Sequence, residues 1–578
     1  MAEQVSGSLI TRNYTNFRGV DFSNRKDEVS LYRSPDAINM WKNYKNSKGR
    51  CVESRPDIEL VKEFADTITG LFFYTYNGQT HRIVHSGTSL YDNDKVIYSK
   101  MARNNSKSFV YDNLLYIKDG SSYLVYDGTT VKEVEGYIPT TSISRNPSGG
   151  GTIYQDVNLL TGVRKNSFVA DGASTEYITD SEGFDTDYKV RVWVNDKELT
   201  TGFTVDSSTG KVIFTTAPTE PDTVGQDNVI IQFRKTIDGY RDRIDKCTLL
   251  EVFDNRVFFA GNPDYPNMLW HCSLSDPTYC SDLDYYNEGV DDAKIMALVS
   301  GNNALWVMKE PSQTNTTIFY HTPTIDDELG KVYPSIHSSI STGCVSTGIN
   351  FNDDIVFFSE RGLEGITGDV TTEQVLGHRS TCIDNKLLNE SNYTNAIVEE
   401  WEGYLVVAVD NHIYLADSRA MMTNNNNKEY EWYYWELGID IKGTRVKDGV
   451  LYLFGEEQVY ENDKYVTKHR IYTLTKTDTE IEAYWTTLED EFRYPQYQKT
   501  TNKKGCVLDL EGEAVTVLVK TDNNYFETIK TYNNVKGYVV PRIKKKKWKS
   551  IQLKFSSNKP FGLYSSTLEA YVGSYVKR

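Results

Sequence analysis

The sequence predicts an all-β protein: a β-propeller of six or seven blades, with an inserted immunoglobulin-like β-sandwich and a C-terminal β-sandwich. Three observations carry this. Helical periodicity is scarce, and short apolar or alternating runs are separated by Asn-Gly, Asp-Gly and Asp-Asn pairs, which supply the positive φ of tight hairpins. A unit of strand, polar two-residue turn, strongly apolar strand, turn and strand recurs seven times, at roughly fifty-residue intervals once one insertion is removed. Aromatic residues make up 13% of the chain, with 41 Tyr, a residue suited to half-buried pleated surfaces and to interfaces.

The units are read in order. LFFYTYNGQTHRIVHS (71–86) and FVYDNLLYIKDGSSYLVYDG (109–128) come first. LLEVFDNRVFFAG (249–261), ALWVMKE with TTIFYHT (304–322) and GINFNDDIVFFSERGLEGITG (348–368) follow. AIVEEWEGYLVVAVDNHIYLAD (396–417) and TRVKDGVLYLFGEEQVY (444–460) complete the set. Apolar cores such as VFFA, IVFF and LVVAV suit sheets that pack face to face. The propeller is therefore assigned to 1–145 and 239–480. Between them, 146–238 changes texture: Thr, Asp and Val alternate, a hairpin turn falls at Asn195-Asp196, and NPSGGGTIYQ and TIDGYRDR act as linkers, which reads as a small sandwich. Residues 481–578 carry alternating strands without the propeller spacing and read as a second sandwich. MMTNNNNKEYE (421–431) reads as a mobile surface loop.

At 578 residues the chain buries sizeable cores without disulfides. Its net charge of −17 argues against general affinity for DNA or anionic lipid, which takes a basic footprint. An acidic passage would instead let DNA slide, because each Lys or Arg on a phosphate adds a holding contact. The seven Cys are scattered, with Cys272 and Cys280 closest, and no CxxC occurs; they read as buried reduced thiols of a protein folded in cytoplasm. MAEQVSGSLITRNYTNF lacks the layout of a signal peptide, and no apolar run is long enough for a membrane span. The expectation is a protein made soluble in cytoplasm.

Motifs for catalysis are scarce. None of the eight His stands beside a nucleophile motif, and GxSxG, HExxH and GxxxxGK[ST] do not occur. Propellers host glycosidases, which need two carboxyl groups about 5–10 Å apart. Candidates are Asp291 with Asp292, Asp353 with Asp354, and Glu399 with Glu400. Neighbours in a strand point to opposite faces, and neighbours in a turn usually cap backbone N–H groups. Calcium sites at DNDK (92–95) or TIDDELG (324–330) lack the full loop pattern. The expectation is no enzymatic activity, no cofactor and no metal. One basic run, RIKKKKWK (542–549), includes Lys544, Lys545, Lys546 and Lys547. It reads as an edge strand guarded by Lys, as a salt-bridged joint to an acidic neighbour, or as a phosphate contact.

The stretch DNRVFFAGNPDYPNMLWHCSLSDPTYCSD (254–282), followed by DDAKIMALVSGNNALWVMKE (291–310), resembles the propeller core of bacteriophage tail-nozzle proteins, the packaged-DNA stabilisation proteins of short-tailed phages. GCVSTGINFNDDIVFFSERGLEGI (343–366) is similar to a further element of that family. NFRGVDFSNRKDEVSLYRSPDAINMWKNYKNSKGRCVESRPDIELV (16–61) resembles its opening, in which Pro-Asp and Asn-Met-Trp precede an Arg-Pro strand. PFGLYSSTLEAYV (560–572) resembles its last strand pair. The resemblance implies a virion structural protein: a ring of six copies at the tail tip that closes the DNA exit channel, retains the packaged genome and releases it into the host. Implied partners are further copies of the chain, tail-tube or adaptor proteins, tail fibres, and double-stranded DNA passing without sequence-specific binding. The ornate interblade loops become docking surfaces, with Tyr265, Trp270, Tyr279, Tyr285 and Tyr286 as interface candidates. No catalytic residues transfer with the resemblance. Rival readings are a head-to-tail connector or tail hub of the same particle, a carbohydrate-binding host adhesin, and a glycan hydrolase that would depend on a carboxylate such as Asp292.

Overall fold

A computed structural model describes residues 7–575 apart from 47, 48, 50, 291, 328, 329, 339, 368–374, 425, 426, 479 and 523. The chain is all-β: a β-propeller with an inserted immunoglobulin-like sandwich and a C-terminal β-sandwich. It divides into two compact units, one of residues 1–71 with 342–578 and one of residues 72–341.

Seven four-stranded antiparallel sheets follow one another along the chain. The hairpin joining the first two strands of each is closed by two residues that both have positive φ. These pairs are Asn77-Gly78, Asp112-Asn113, Asp254-Asn255, Asn302-Asn303, Asn352-Asp353, Glu402-Gly403 and Asp448-Gly449. Positive φ at both central positions is the type I′ geometry, whose twist matches the right-handed twist of the flanking strands. Asn, Asp and Gly visit this region most cheaply; Glu402 is the exception, tolerated beside Gly403. The strand after the turn is the buried one: Ala304–Lys309, Asp354–Ser359 and Tyr404–Val409 are buried at every position.

Four of the sheets are formed by residues 68–98, 107–133, 249–287 and 295–337, all within the unit of residues 72–341 except the first four residues of Ile68–Tyr76. The inserted sandwich lies between the second and third of these. Its larger sheet runs from Thr140–Arg145 to Val229–Arg234, and the smaller contains Glu176–Ile178, Phe203–Asp206 and Lys211–Phe214. Phe168, Tyr177, Val212, Ile231 and Phe233 fill the space between the sheets. Asn195 and Asp196 take φ of 49° and 61°, the hairpin turn expected there.

The other unit holds the remaining three four-stranded sheets. The last combines Asp440–Lys447, Val450–Glu461 and Lys464–Lys476 with Asp57–Phe64, so a strand from before the first blade completes the seventh. The sixth blade corrects one expectation. Residues 421–424 and 427–431 are strand and not loop: after a register shift beyond Asp417, backbone pairing resumes at Met422↔Glu429 and runs to Asn424↔Asn427, while residues 425 and 426 lie outside the described residues.

The C-terminal sandwich is a ten-stranded sheet that nearly closes on itself. Its path runs Ala37–Ile38, Ala483–Thr486, Ile551–Ser557, Tyr497–Thr521, Phe561–Tyr575, Val52–Ser54, Met40–Trp41. Leu9–Tyr14 also pairs with Phe561–Tyr575. Assigning residues 1–145 wholly to the propeller therefore needs correction: four of the strands between residues 9 and 54 build the C-terminal sheet. Three of these strands are only two or three residues long, too short for alternation to reveal them, and Leu9–Tyr14, Ala37–Ile38 and Val52–Ser54 have partners hundreds of residues away.

The two ends of that path are separated by Asn39 alone, at φ 56°. Asn39 Nδ2 donates to Glu482 O at 2.9 Å, and its backbone N–H donates to Tyr434 O at 2.9 Å. Its Oδ1 accepts from Arg55 Nε at 2.8 Å and from Glu436 N–H at 2.9 Å. The buried Arg55 also donates to Glu436 O and Pro56 O. Beside this node Trp41 stacks on Trp401 at 5.5 Å and meets Trp435 edge-on at 5.6 Å.

Asn39→Ala strands two donors, the buried Arg55 Nε and the partly buried Glu436 N–H, and places a Cβ residue without a polar side chain at positive φ. Destabilisation of about 3–5 kcal/mol follows. Asn39→Gly keeps the backbone and loses only the side-chain bonds, so it costs less, about 2–3 kcal/mol. Denaturant unfolding followed by Trp fluorescence checks both; an Asn39→Ala chain as stable as the parent would refute the role of this node.

Candidate functional site

The segment 261–284, two bends on either side of the strand Met268–His271, contains most of the aromatic interface candidates, and its bends are held by their own side chains. Asn262 Nδ2 donates to Asp242 O and Arg243 O, while its Oδ1 accepts Asp264 N–H at 2.9 Å. Asp276 Oδ1 accepts Thr278 N–H at 2.9 Å and Thr278 Oγ1 at 2.6 Å. Such side-chain-to-backbone bonds fix a turn without a ladder. The Gly-Asn-Pro and Ser-Asp-Pro elements are thus the fasteners of two successive bends.

The candidates separate by burial. Trp270 is fully buried with Phe259 and Tyr123 in a core cluster, so as a docking residue it is corrected to a packing residue. Its apolar bulk fills the blade while Tyr265 meets it edge-on at 5.8 Å. Tyr279 is half-buried against Tyr137 and donates to Asp156 O at 3.0 Å. Tyr286 is half-buried, and its hydroxyl accepts Tyr333 N–H at 3.2 Å. Tyr265 and Tyr285 keep exposed rings, at 39% each.

Next to Tyr286 lies a buried polar cluster that sequence reading missed. His321 Nε2 faces Glu288 Oε1 at 2.8 Å and His321 Nδ1 faces Tyr333 O at 2.8 Å. Ser335 Oγ donates to Glu288 Oε2 at 2.6 Å, and Lys309 Nζ donates to Glu288 O at 2.6 Å. Glu288, His321 and Lys309 are all at 0% exposure. A nucleophile is activated when imidazole stands between hydroxyl and carboxylate. Here the carboxylate stands in the middle, so the cluster ties strands of two blades. Its members are scattered from 288 to 335 with no shared spacing, so no local signal marks them.

The paired carboxylates also resolve. Asp353 occupies a hairpin turn, whereas Asp354 is buried in a two-point clamp with Arg379, Nε to Oδ2 at 2.7 Å and Nη2 to Oδ1 at 3.1 Å. Burial pushes the half-buried Glu399 carboxyl up to about 7, opposed by Arg445 at 3.8 Å, while Glu400 is exposed on the other face. Asp292 is exposed, and Asp291 lies outside the described residues. Asp92 of the DNDK segment accepts from Tyr126 and meets His81 Nδ1, both at 2.7 Å. Among the described residues no group of three or more His, Cys, Asp or Glu is placed to hold a metal, and no helix is long and apolar enough to cross a membrane.

Of the basic run, Lys544, Lys546 and Lys547 are exposed, and Lys545 pairs with Glu527 at 2.6 Å. Lys546–Trp548 forms a short strand on the long strand Tyr497–Thr521. A separate cleft of about 350 Å³ is lined by Trp41, Asn46, Glu53, Arg55, Glu511 and Tyr564. Its polar groups bond one another, as in Asn46 Nδ2 to Glu53 Oε2 at 2.5 Å and Tyr564 hydroxyl to Glu511 Oε2 at 3.1 Å.

No family model and no curated protein matches the chain. Solved structures similar to it include an exo-beta-1,3-galactanase from Phanerochaete chrysosporium with beta-1,3-galactotriose, at 7% identity and TM-score 0.21, covering 55% of this chain and 94% of that one. The same enzyme with galactose matches at 6% identity and TM-score 0.18, covering 82% and 96%. A protein described as a glycoside hydrolase matches at 7% identity and TM-score 0.22, covering 87% and 98%. The expectation of no enzymatic activity is corrected by this comparison: the structures the chain is similar to are enzymes, so the lack of a recognised motif does not exclude an enzyme fold. At these TM-scores the likeness carries neither substrate nor activity to the chain.

His378 supplies a pH test. Its Nε2 faces Asp384 Oδ2 at 2.7 Å and its Nδ1 faces Glu364 Oε1 at 3.2 Å, and these bonds push the imidazole up to about 9. An unfolded His titrates near about 6.5. Because the folded value is the higher one, the stabilisation is complete below about pH 6.5 and is lost as pH rises through about 9. His378→Asn removes that pH-dependent component, of order 2 kcal/mol, from melting curves taken across this window; an unchanged profile would refute the pairing.

None of the seven cysteines is in a disulfide, all are buried, and burial pushes the Cys247, Cys272, Cys344 and Cys506 thiols up to about 12. A thiol reagent is expected to label none of them rapidly in the native chain and all of them after denaturation. Rapid native labelling of any one would contradict the packing.

Proposed function

We propose that the chain is a structural subunit of a virion tail, forming with further copies a ring at the tip of a short-tailed phage through which the genome leaves. The observation that carries this reading is where the resembling residues fall. Asn39 and Arg55 of the opening motif join the C-terminal sheet to the sixth blade and launch the strand that completes the seventh. Asn262 and Asp276 fasten the interblade bends. The pattern shared with tail-nozzle proteins is thus a pattern of joints, as suits a part whose work is mechanical. The charge agrees with this. Outside the C-terminal 82 residues the chain carries a net charge of −27, and a passage walled by such a surface would offer few cations to hold phosphates. Host contact would then shift a ring with two states from closed to open.

Gold-labelled antibody against the chain, imaged on purified particles, tests the proposal. Label at the tip of a short tail is the expected result. Label at the head–tail neck would replace the nozzle with a connector. Particles without label would overturn the structural role, and retention of the chain on cell-surface glycan would then favour a host adhesin.

A further inference from the structure

The charge of this chain is divided unevenly. Residues 497–578 contain sixteen Lys or Arg against six Asp or Glu, a net of +10, while the 496 residues before them sum to −27. The structure gathers much of that excess along one edge. The long strand Tyr497–Thr521 is paired on one side by Phe561–Tyr575 and then Ile551–Ser557. Its other side takes Lys546–Trp548 and then Glu527–Val539. Lys499 pairs with both Trp548 and Val572, and Leu508 with both Val539 and Ser566, so residues 527–549 run down the side opposite Phe561–Tyr575.

Glu527–Val539 has no second strand partner among the described residues. Its outer backbone groups are therefore available along 13 residues. Lys530, Lys536, Arg542, Lys544, Lys546 and Lys547 are all exposed on this segment. Lys536 reaches Glu511 at 3.8 Å, whereas Arg542, Lys544, Lys546 and Lys547 make no ion pair with the described residues. Two large rings stand free on the same stretch, Tyr525 at 92% exposure and Tyr538 at 76%.

We infer that this basic edge is a docking surface for the acidic surface of a second copy of the chain, an inference that rests on the ring reading above. Charge complementarity selects the occupant. The only strongly basic segment of the sequence is offered by a molecule whose remainder is strongly acidic, so copies attract head to tail. Such a heterologous contact, repeated, closes into a ring. Free backbone groups and exposed Tyr add strand pairing and anchoring area, which a nucleic-acid phosphate would not use. A DNA duplex would also meet repulsion from the acidic remainder.

Sedimentation of the full chain at about 0.1 M and about 1 M salt, where the screening length falls from about 10 Å to about 3 Å, gives the first readout. Oligomers at the lower salt and loss of association at the higher are expected. The combined change Lys544→Glu, Lys546→Glu and Lys547→Glu should weaken association by roughly ten- to a hundredfold, and the corresponding Lys→Arg set should preserve it. Unchanged melting of each variant shows that folding is intact. A monomer at both salts, or an oligomer indifferent to salt and to charge reversal, would overturn the inference. So would binding of a short DNA duplex that disappears in the Glu variant without any self-association, which would make the edge a phosphate contact. Tail-tip label with charge-indifferent assembly would sink this surface alone; charge-dependent assembly without label on particles would sink the tail role alone.

Discussion

Asn39 holds the unit of residues 1–71 and 342–578 together. One residue separates the two end strands of the C-terminal sheet, and a left-handed backbone there turns the chain from one to the other. Asn is suited to the position because its short amide tolerates that conformation and satisfies groups on three segments at once. Arg55, held by the same amide, precedes Pro56, which favours an extended backbone before it. The chain then runs straight into Asp57–Phe64, the strand that completes the seventh blade. Sheet closure, blade packing and propeller completion therefore share one buried hydrogen-bonded node, sealed by Trp41, Trp401 and Trp435.

The blades reuse a single local solution. Each hairpin turns on two residues at positive φ and feeds a buried apolar strand. What differs between blades is polar. Six of the eight His stand within 4.0 Å of a carboxylate, as in His81 with Asp92, His321 with Glu288, His378 with Asp384 and His412 with Glu390. Contacts of this kind add little net stability compared with apolar packing, but they penalise misregister, because a shifted strand leaves a polar group without its partner. In a protein made of near-repeats, that penalty distinguishes one blade from the next.

Charge divides the chain at the C-terminal sheet. The propeller and the inserted sandwich carry the acidic excess; the C-terminal sheet carries the basic one. Within that sheet the lysines sit beside a strand edge, where they also discourage indiscriminate pairing. The same residues thus bear on two physical problems, solubility of an exposed edge and choice of what approaches it.

Propeller repeats, the inserted sandwich and the hairpin turns were legible in the sequence, because each depends on contacts between near neighbours: a two-residue turn, an alternation, an apolar run. Asp254-Asn255 announces its hairpin without knowledge of anything distant. The N-terminal strands were not legible. Ala37–Ile38 and Met40–Trp41 are two residues long; the first becomes a strand only by pairing with Ala483–Thr486, far along the chain, and the second by pairing with Val52–Ser54, itself held by Phe561–Tyr575. Trp270 illustrates the same limit at the surface: an aromatic in an ornate loop reads equally as anchor or as core, and only packing against Phe259 and Tyr123 decided for the core. The Glu288–His321–Ser335 cluster and the continuous basic edge were likewise decided by tertiary structure, since strand register, a property of paired segments, determines which distant side chains meet.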